Sequence, residues 1–273
     1  MRSLGLVVLC ACDSLFGIRD THLTHDLPVD APFACPTSGP PVFSHALQQL
    51  VELDCRSFTA AELGGLAAMW CSGGDFGVDA SSVLVVGSLE NGQDMTVIEM
   101  TNFLYLDVII DPEGDEIFTF TQETNYVVGE LARTGTTWAP GTPPALPFIW
   151  NGSDDVTSPT KRPDRRMLYY RWAPDLMWYE LQETAPGTWI TERAHPELGP
   201  YLENPRLTAD GLHLVGNSGT DTIVYAGRTS LGGDFDPPVQ ITTVPAAGRY
   251  PSLTDNCSRL YFWGLNSVFY AQQ

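Results

Sequence analysis

Pro205-Arg206-Leu207-Thr208-Ala209-Asp210-Gly211-Leu212-His213-Leu214 returns later in the chain as Pro251-Ser252-Leu253-Thr254-Asp255-Asn256-Cys257-Ser258-Arg259-Leu260. A segment that repeats at a fixed distance sets the architecture before any single residue is interpreted. Leu168, Leu214 and Leu260 recur at intervals of 46 residues, and Pro159, Pro205 and Pro251 keep the same spacing. Asp111-Pro112-Glu113-Gly114-Asp115-Glu116-Ile117 is an earlier copy, and Ser57-Phe58-Thr59-Ala60-Ala61-Glu62, leading to Met69 and Trp70, is a weaker one. Each copy reads as strand, tight turn, strand, with Asp-Gly, Glu-Gly or Pro-Asp at the bend between apolar runs.

A second marker follows. Val127, Trp178 and Val224 sit in short apolar segments, and Trp138, Trp189 and Phe235 each come 11 residues later. Four strand-sized segments per repeat of about 40–50 residues match a four-stranded propeller blade. A β-sandwich with accidental self-similarity is the alternative, because regular short strands also suit sandwiches. The expected fold is therefore all-β, a single β-propeller of about five blades beginning near residues 55, 105, 155, 203 and 249. A sixth blade fits if Ser72 to Asn102 hides extra strands.

The last copy stops at Gln273 after three strands, Val268 to Tyr270 being the third. A blade without its fourth strand would leave an open edge. Pro40-Pro41-Val42-Phe43-Ser44-His45-Ala46-Leu47 is similar to the fourth-strand segment Asp234 to Val239, and is expected to complete the final blade.

These stretches resemble TolB-like propeller repeats, whose form is a Pro-x-hydrophobic-Ser-x-Asp-Gly run followed by a Leu-Tyr-Phe-like strand. The best matches cover residues 157–273, with Asn256-Cys257 and Asp164-Arg165 standing where the pattern has Asp-Gly. The resemblance implies blade architecture and carries no activity.

At the N-terminus, Arg2 precedes the apolar run Leu4 to Leu9, followed by Leu9-Cys10-Ala11-Cys12. The run is shorter than the roughly 20 residues a bilayer span needs and reads as an export signal. Leu9 to Cys12 resembles a bacterial lipobox, which implies cleavage after residue 11 and lipidation of Cys12. The organisation expected is a signal peptide over residues 1–11, a proline-containing lipidated tether over 12–39 and a propeller over 40–273. The protein would then be a monomeric, membrane-anchored lipoprotein of the cell envelope, facing the periplasm or the exterior.

Four further cysteines, Cys35, Cys55, Cys71 and Cys257, form an even set in an exported chain and favour disulfides. Cys55 and Cys71 face each other across a hairpin turning near Glu62. Cys257 lies in the first turn of the last blade, and Cys35 precedes the segment that closes that blade. The expected pairs are Cys55–Cys71 and Cys35–Cys257. No closely spaced Cys or His ligand pair supports a zinc site, and His22-x-x-His25 in the tether is isolated. No metal or other cofactor is expected.

The 33 acidic and 14 basic residues give a formal charge of −19. Nucleic acid is thereby disfavoured as a partner, since its binding rests on neutralising phosphates. The Gly-x-Ser-x-Gly elbow, the phosphate-binding glycine loop and the His-Glu-x-x-His helix are all missing from the sequence. Acidic residues do recur near the starts of the inner strands: Asp54, Asp107, Asp155 and Glu203. By position these resemble the channel carboxylates of five-bladed glycosidases, and paired carboxylates can supply the acid and the nucleophile or base of glycoside cleavage. Asp54, Asp107 and Glu203 are the catalytic or cation-binding candidates of that reading. Acidic residues serving in turns and blade-to-blade hydrogen bonds are the competing account. Trp150 and Trp172 lie near strand ends and are freer than the other tryptophans to meet a ligand. The favoured function is a binding module for an envelope protein or glycan, with a glycoside-processing enzyme as the alternative and a purely structural envelope protein as a third reading.

Overall fold

The first strand of the fold closes its last blade. In the computed structural model, β1 (Gln48–Glu52) lies antiparallel to the C-terminal strand β20 (Ser267–Gln272). The structure describes residues 35–36, 38–53, 55–77, 82–90, 92, 94–101, 104–122, 126–149, 155–172, 175–219, 222–244, 248–264 and 267–273. Blade 1 consists of β2 (Cys55–Ala61), β3 (Leu66–Ser72), β4 (Ser82–Ser88) and β5 (Thr96–Thr101). Blade 2 consists of β6 (Leu104–Ile110), β7 (Glu116–Gln122), β8 (Tyr126–Thr134) and β9 (Thr137–Pro140). Blade 3 has β10 (Asp155–Val156), β11 (Arg166–Arg171), β12 (Met177–Ala185) and β13 (Thr188–His195). Blade 4 has β14 (Leu202–Leu207), β15 (His213–Ser218), β16 (Thr222–Gly227) and β17 (Val239–Gln240). Blade 5 runs β18 (Arg249–Leu253), β19 (Arg259–Gly264), β20, and then β1 from the other end of the chain. These are five four-stranded antiparallel sheets in a propeller ring, starting where the repeat places them. Ser72 to Asn102 supplies β4 and β5 and adds no sixth blade among the described residues.

Because successive side chains on a strand point to opposite faces, a blade in a ring buries both. Ile109 packs with Tyr169 and Trp189 of blade 3, while its neighbour Ile110 packs with Leu84 and Trp70 of blade 1. Five such clusters fill the five seams: 1–2, 2–3, 3–4, 4–5 and 5–1. The 5–1 seam joins Tyr261 and Val268 to Phe58 and Met69, so the ring is shut by packing as well as by β1.

Two expectations are corrected. The closing strand is β1, just downstream of Pro40 to Leu47. Prolines cannot donate to a ladder, and Phe43 is instead buried in the 4–5 seam while Ser44 N donates to Gln272 O at 2.6 Å. Leu168 is also one residue out of register. The turn slot closes over five residues in blades 2, 4 and 5 (Asp111 to Glu116, Thr208 to His213, Thr254 to Arg259) but over six in blade 3, from Thr160 to Arg166. Met167 therefore faces the preceding blade as Ile117, Leu214 and Leu260 do, and Leu168 faces blade 4. By the same count Thr157, rather than Pro159, stands where Pro205 and Pro251 do.

Both expected disulfides are present, Cys35–Cys257 and Cys55–Cys71. Gly114, Gly211 and Cys257 occupy one position of the turn, at φ of 75°, 70° and 56°. The cysteine thus holds a left-handed backbone that the other two blades assign to glycine.

The turns after the inner strands meet one another. Gly64 N donates to Pro112 O (3.0 Å), Arg162 N to Glu113 Oε1 (3.0 Å), and Lys161 N to Ala209 O (2.8 Å). Asp210 N donates to Asp255 Oδ1 (3.1 Å), and Asp255 N to Glu62 Oε2. These links run from blade 1 through 2, 3, 4 and 5 back to blade 1. They form a hydrogen-bonded hoop on one face, here called the hairpin face.

Candidate functional site at the centre of the ring

The opposite face is where the inner strands begin. Four of them carry a register shift there: between Cys55 and Ser57, Tyr105 and Asp107, Glu203 and Arg206, and Arg249 and Ser252. A bulge inserts an unpaired residue and re-aims the side chains beside it. Asn204 and Tyr250, each just before the proline of the repeat, take left-handed φ of 47° and 49° at these bulges.

The re-aimed side chains converge. Asp107 Oδ1 accepts hydrogen bonds from Ser57 Oγ (2.9 Å), from its neighbour Val108 N (2.8 Å) and from Arg206 Nη2 (2.9 Å). Arg206 is 1% exposed, and its Nη1 also donates to Val156 O (3.2 Å) and Pro205 O (2.9 Å). Asp155 accepts from Asn204 N (2.7 Å) and Val156 N (3.0 Å). Burial, reinforced by the Asp107 charge and opposed by Arg206, lifts the Asp155 carboxyl to about 7. Tyr250 lies in the same field; burial and the Asp107 charge push its phenol up to about 12. Nearer the hairpin face, Thr59 and Ser158 hydroxyls meet at 3.3 Å across the ring. A cavity of about 20 Å³ remains at that end, touched by one residue or more from every blade (Ala60, Pro112, Ser158, Leu207 and Leu253). It has room for about one water.

Side chains and ion pairs therefore tie the middle of the ring together. Arg206 holds Asp107 directly, and Asp155 lies within the field of both. Glu203 is exposed on β14, and Asp54 lies outside the described residues, as do Cys12, His22, His25 and Trp150. Arg206 and Ser57 carry this centre, yet neither was singled out in the sequence. The available signal was Arg206 itself, a charged residue between Pro205 and Leu207 where the next repeat has Ser252.

A second polar cluster fastens blade 3 to blade 4. Glu180, fully buried, receives both terminal nitrogens of Arg228 (3.0 Å each), Arg193 Nε (2.9 Å) and His195 Nε2 (2.9 Å). Burial alone would raise its carboxyl, but the His195 and arginine contacts win and hold it well below the usual range. His195, Glu197 and Asp234 approach one another as metal ligands would. However, the two ring nitrogens of His195 are engaged by Glu197 (2.6 Å) and Glu180. Cys35 and Cys257 beside His213 are joined to each other.

Exposed apolar residues gather on the strand-start face. Trp172 directly follows β11, Leu176 precedes β12, and Tyr201 precedes β14; they are 55%, 47% and 78% exposed. Trp172 packs edge-on against Tyr170 at 6.3 Å, and Tyr170 also feels the Tyr201 phenol. The turn is braced at its base: Arg171 Nε donates to Asp175 Oδ1 (2.8 Å), Arg171 Nη2 lies 2.9 Å from Tyr179 Oη, and the guanidinium stacks on the Tyr179 ring. Leu176 is held at φ of 52°.

No protein-family model matches the chain, and no curated protein matches it. Solved structures do. TolB from Acinetobacter baumannii is similar at 13% identity and a TM-score of 0.46, over 81% of this chain and 55% of that one. An oligogalacturonate lyase from Vibrio parahaemolyticus is similar at 10% identity and 0.41, over 81% and 66%. A gluconolactonase from Xanthomonas campestris is similar at 12% identity and 0.41, over 89% and 97%. The chain spans less than two thirds of the length of the first two. The likeness concerns fold, and the count of five blades rests on the strand order above.

Proposed function

We propose that the protein is an exported, lipid-anchored propeller that binds an envelope protein through the face where its inner strands begin. The observation that carries this reading is the set Trp172, Leu176 and Tyr201, exposed together at the ends of neighbouring strands on a braced turn. Exposed apolar side chains grouped in this way mark interaction sites, and a rigid aromatic anchor loses little entropy on binding. Glu203 is exposed two residues beyond Tyr201, and the chain carries −19 overall. The matching partner surface is apolar with a basic rim.

The Cys35–Cys257 bond supports the same arrangement. It fixes the chain, at the point where the preceding residues depart, to the first turn of blade 5 on the hairpin face. A lipid at Cys12 would tether the propeller through this point, on the face opposite the aromatic set. The test is in-cell photo-crosslinking from positions 172 and 201, with position 63, exposed in the first turn of blade 1 on the hairpin face, as control. One envelope protein captured from 172 and 201 but not from 63 is expected; equal capture from both faces overturns the proposal.

A glycoside-processing activity draws on one feature, the raised Asp155 carboxyl in the field of Asp107, since a carboxyl that keeps its proton near neutrality can act as a general acid. Against it, Asp107 is already engaged by the buried Arg206 guanidinium. Turnover of dye-linked glycans that Asp155→Asn abolishes would establish this second reading.

A further inference from the structure

A cleft of about 870 Å³ opens between blades 2 and 3 on the hairpin face, remote from the aromatic turn. Its size falls within the roughly 300–1,000 Å³ of small-ligand sites. Glu116 and Glu130 line one wall, Glu183 and Trp189 the other, and Arg162-Pro163 the inner end.

The charges in this cleft do not balance. Arg165, buried between the Phe118 and Trp189 rings, donates through Nη1 to Glu116 Oε2 (2.7 Å) and Glu183 Oε2 (3.5 Å). Arg162 takes the other oxygen of Glu116, and Gly187 N takes the other oxygen of Glu183 at 2.7 Å. Three carboxylates line the cleft against two guanidinium groups, and both are spent on Glu116, Glu183 and, through Arg165 Nη2 at 3.9 Å, the buried Asp111 behind the cleft. Among the described residues no donor reaches the Glu130 carboxylate. Burial pushes it up, and Glu116 and Glu183 add to that.

The backbone leaves room for Glu130 at this position. A Cβ on Gly141 would stand 2.4 Å from Glu130 Oε1, so a glycine is what allows the carboxylate to lie there. Gly141 N also donates to Glu130 O at 2.9 Å, fixing the two segments together. Pro143, Pro163 and Pro186 stiffen the rim.

We propose that this cleft receives one cationic side chain, arginine or lysine, from an extended peptide segment, with Glu130 as its counter-ion. The cation supplies a positive charge that Glu130 lacks, and its aliphatic stem lies along the proline and aromatic walls as such stems do on apolar surface. This surface is separate from the aromatic face and stands whether or not that face binds a partner.

The test is a nitrogen-15 NMR titration of the disulfide-intact protein with acetyl-Ala-Ala-Arg-Ala-Ala-amide. The control peptide has citrulline in place of arginine, which keeps the shape and removes the charge. Saturable shifts of the Gly141, Thr142 and Gly187 amides are expected with the arginine peptide only. Glu130→Gln should weaken binding about tenfold, the equivalent of about 1.4 kcal/mol. Ala132→Arg, two residues along the same strand face, should abolish binding by supplying the cation internally. Absent shifts at those amides, or equal shifts with citrulline or with Glu130→Gln, overturn the proposal.

Discussion

Arg206 on blade 4 reaches across the centre of the ring to Asp107 on blade 2, with Nη2 2.9 Å from Oδ1, although these blades are not neighbours. A buried pair of this kind repays its desolvation only while both members are present. Asp107→Ala and Arg206→Met should each destabilise the fold by about 3–5 kcal/mol, because each leaves an uncompensated buried charge. The double variant should cost clearly less than the two single costs added. Urea unfolding of the four proteins measures the coupling, and strict additivity would show that the contact does not lock the ring.

The pH dependence follows from buried carboxyls of opposite kinds. Burial raises Glu62 to about 7 from 4.5, Asp111 to about 6 from 3.8, and Asp155 to about 7 from 3.8. The folded protein holds these protons at pH values where the unfolded chain has released them, so stability falls as pH rises from about 4 through 7. Glu180 works the other way. Its lowered pKa contributes stability above the ordinary glutamate value of 4.5, which is lost as pH falls below that value. Melting temperature should therefore peak near pH 5 and decline toward pH 8. Glu62→Gln keeps an acceptor for Asp255 N and should raise Tm at pH 8 by about 2–4 °C for each kcal/mol recovered, with no gain at pH 5. A calorimetric series across pH 4–8 decides it; a flat profile for both proteins would refute the assignment.

The aromatic face separates binding from stability. Trp172 and Tyr201 are exposed, so their alanine variants should stay within about 0.5 kcal/mol of the parent in urea unfolding. Leu176→Gly relieves a left-handed leucine and should not destabilise the fold. Loss of photo-crosslinking at position 201 in the Trp172→Ala background, with the urea midpoint unchanged, is the expected signature.

Much of the architecture was legible because a propeller repeats its own physics. The Thr and Asp turn slots close the first hairpin of blades 2, 4 and 5 by side chain: Thr208 Oγ1 accepts His213 N, Thr254 Oγ1 accepts Arg259 N, and Asp111 Oδ1 accepts Glu116 N. Those local needs stamp the sequence every blade, which is why the blade starts could be counted. An added turn residue costs little in a surface loop, so the slip at Leu168 left no trace in the apolar pattern. The central site was less legible for the opposite reason. Arg206, Asp107 and Ser57 come from three different blades, and only a register shift in each inner strand turns them toward one point. Acidic strand starts could be listed from the sequence, but which of them meets a cation depends on bulges that a period of two does not encode.

The same limit explains Cys257, whose pairing was legible and whose backbone was not. The Cys35–Cys257 bond spans 222 residues, whereas Cys55–Cys71 spans 16. In the chain-entropy view the long loop contributes about 5 kcal/mol and the short one about 3. Cys35→Ser/Cys257→Ser should therefore lower the urea midpoint more than Cys55→Ser/Cys71→Ser, provided the buried second pair repacks. Since Cys257 holds φ of 56° where Gly114 and Gly211 stand in other blades, the strain can be measured apart from the bond. Cys35→Ser/Cys257→Gly should be more stable than Cys35→Ser/Cys257→Ser by about 1 kcal/mol, the cost of a left-handed non-glycine residue. A serine variant as stable as the glycine variant would mean that the turn relaxes once the bond is gone. Stability restored by glycine would mean that the cysteine is kept in a strained position because the closure of the ring depends on it.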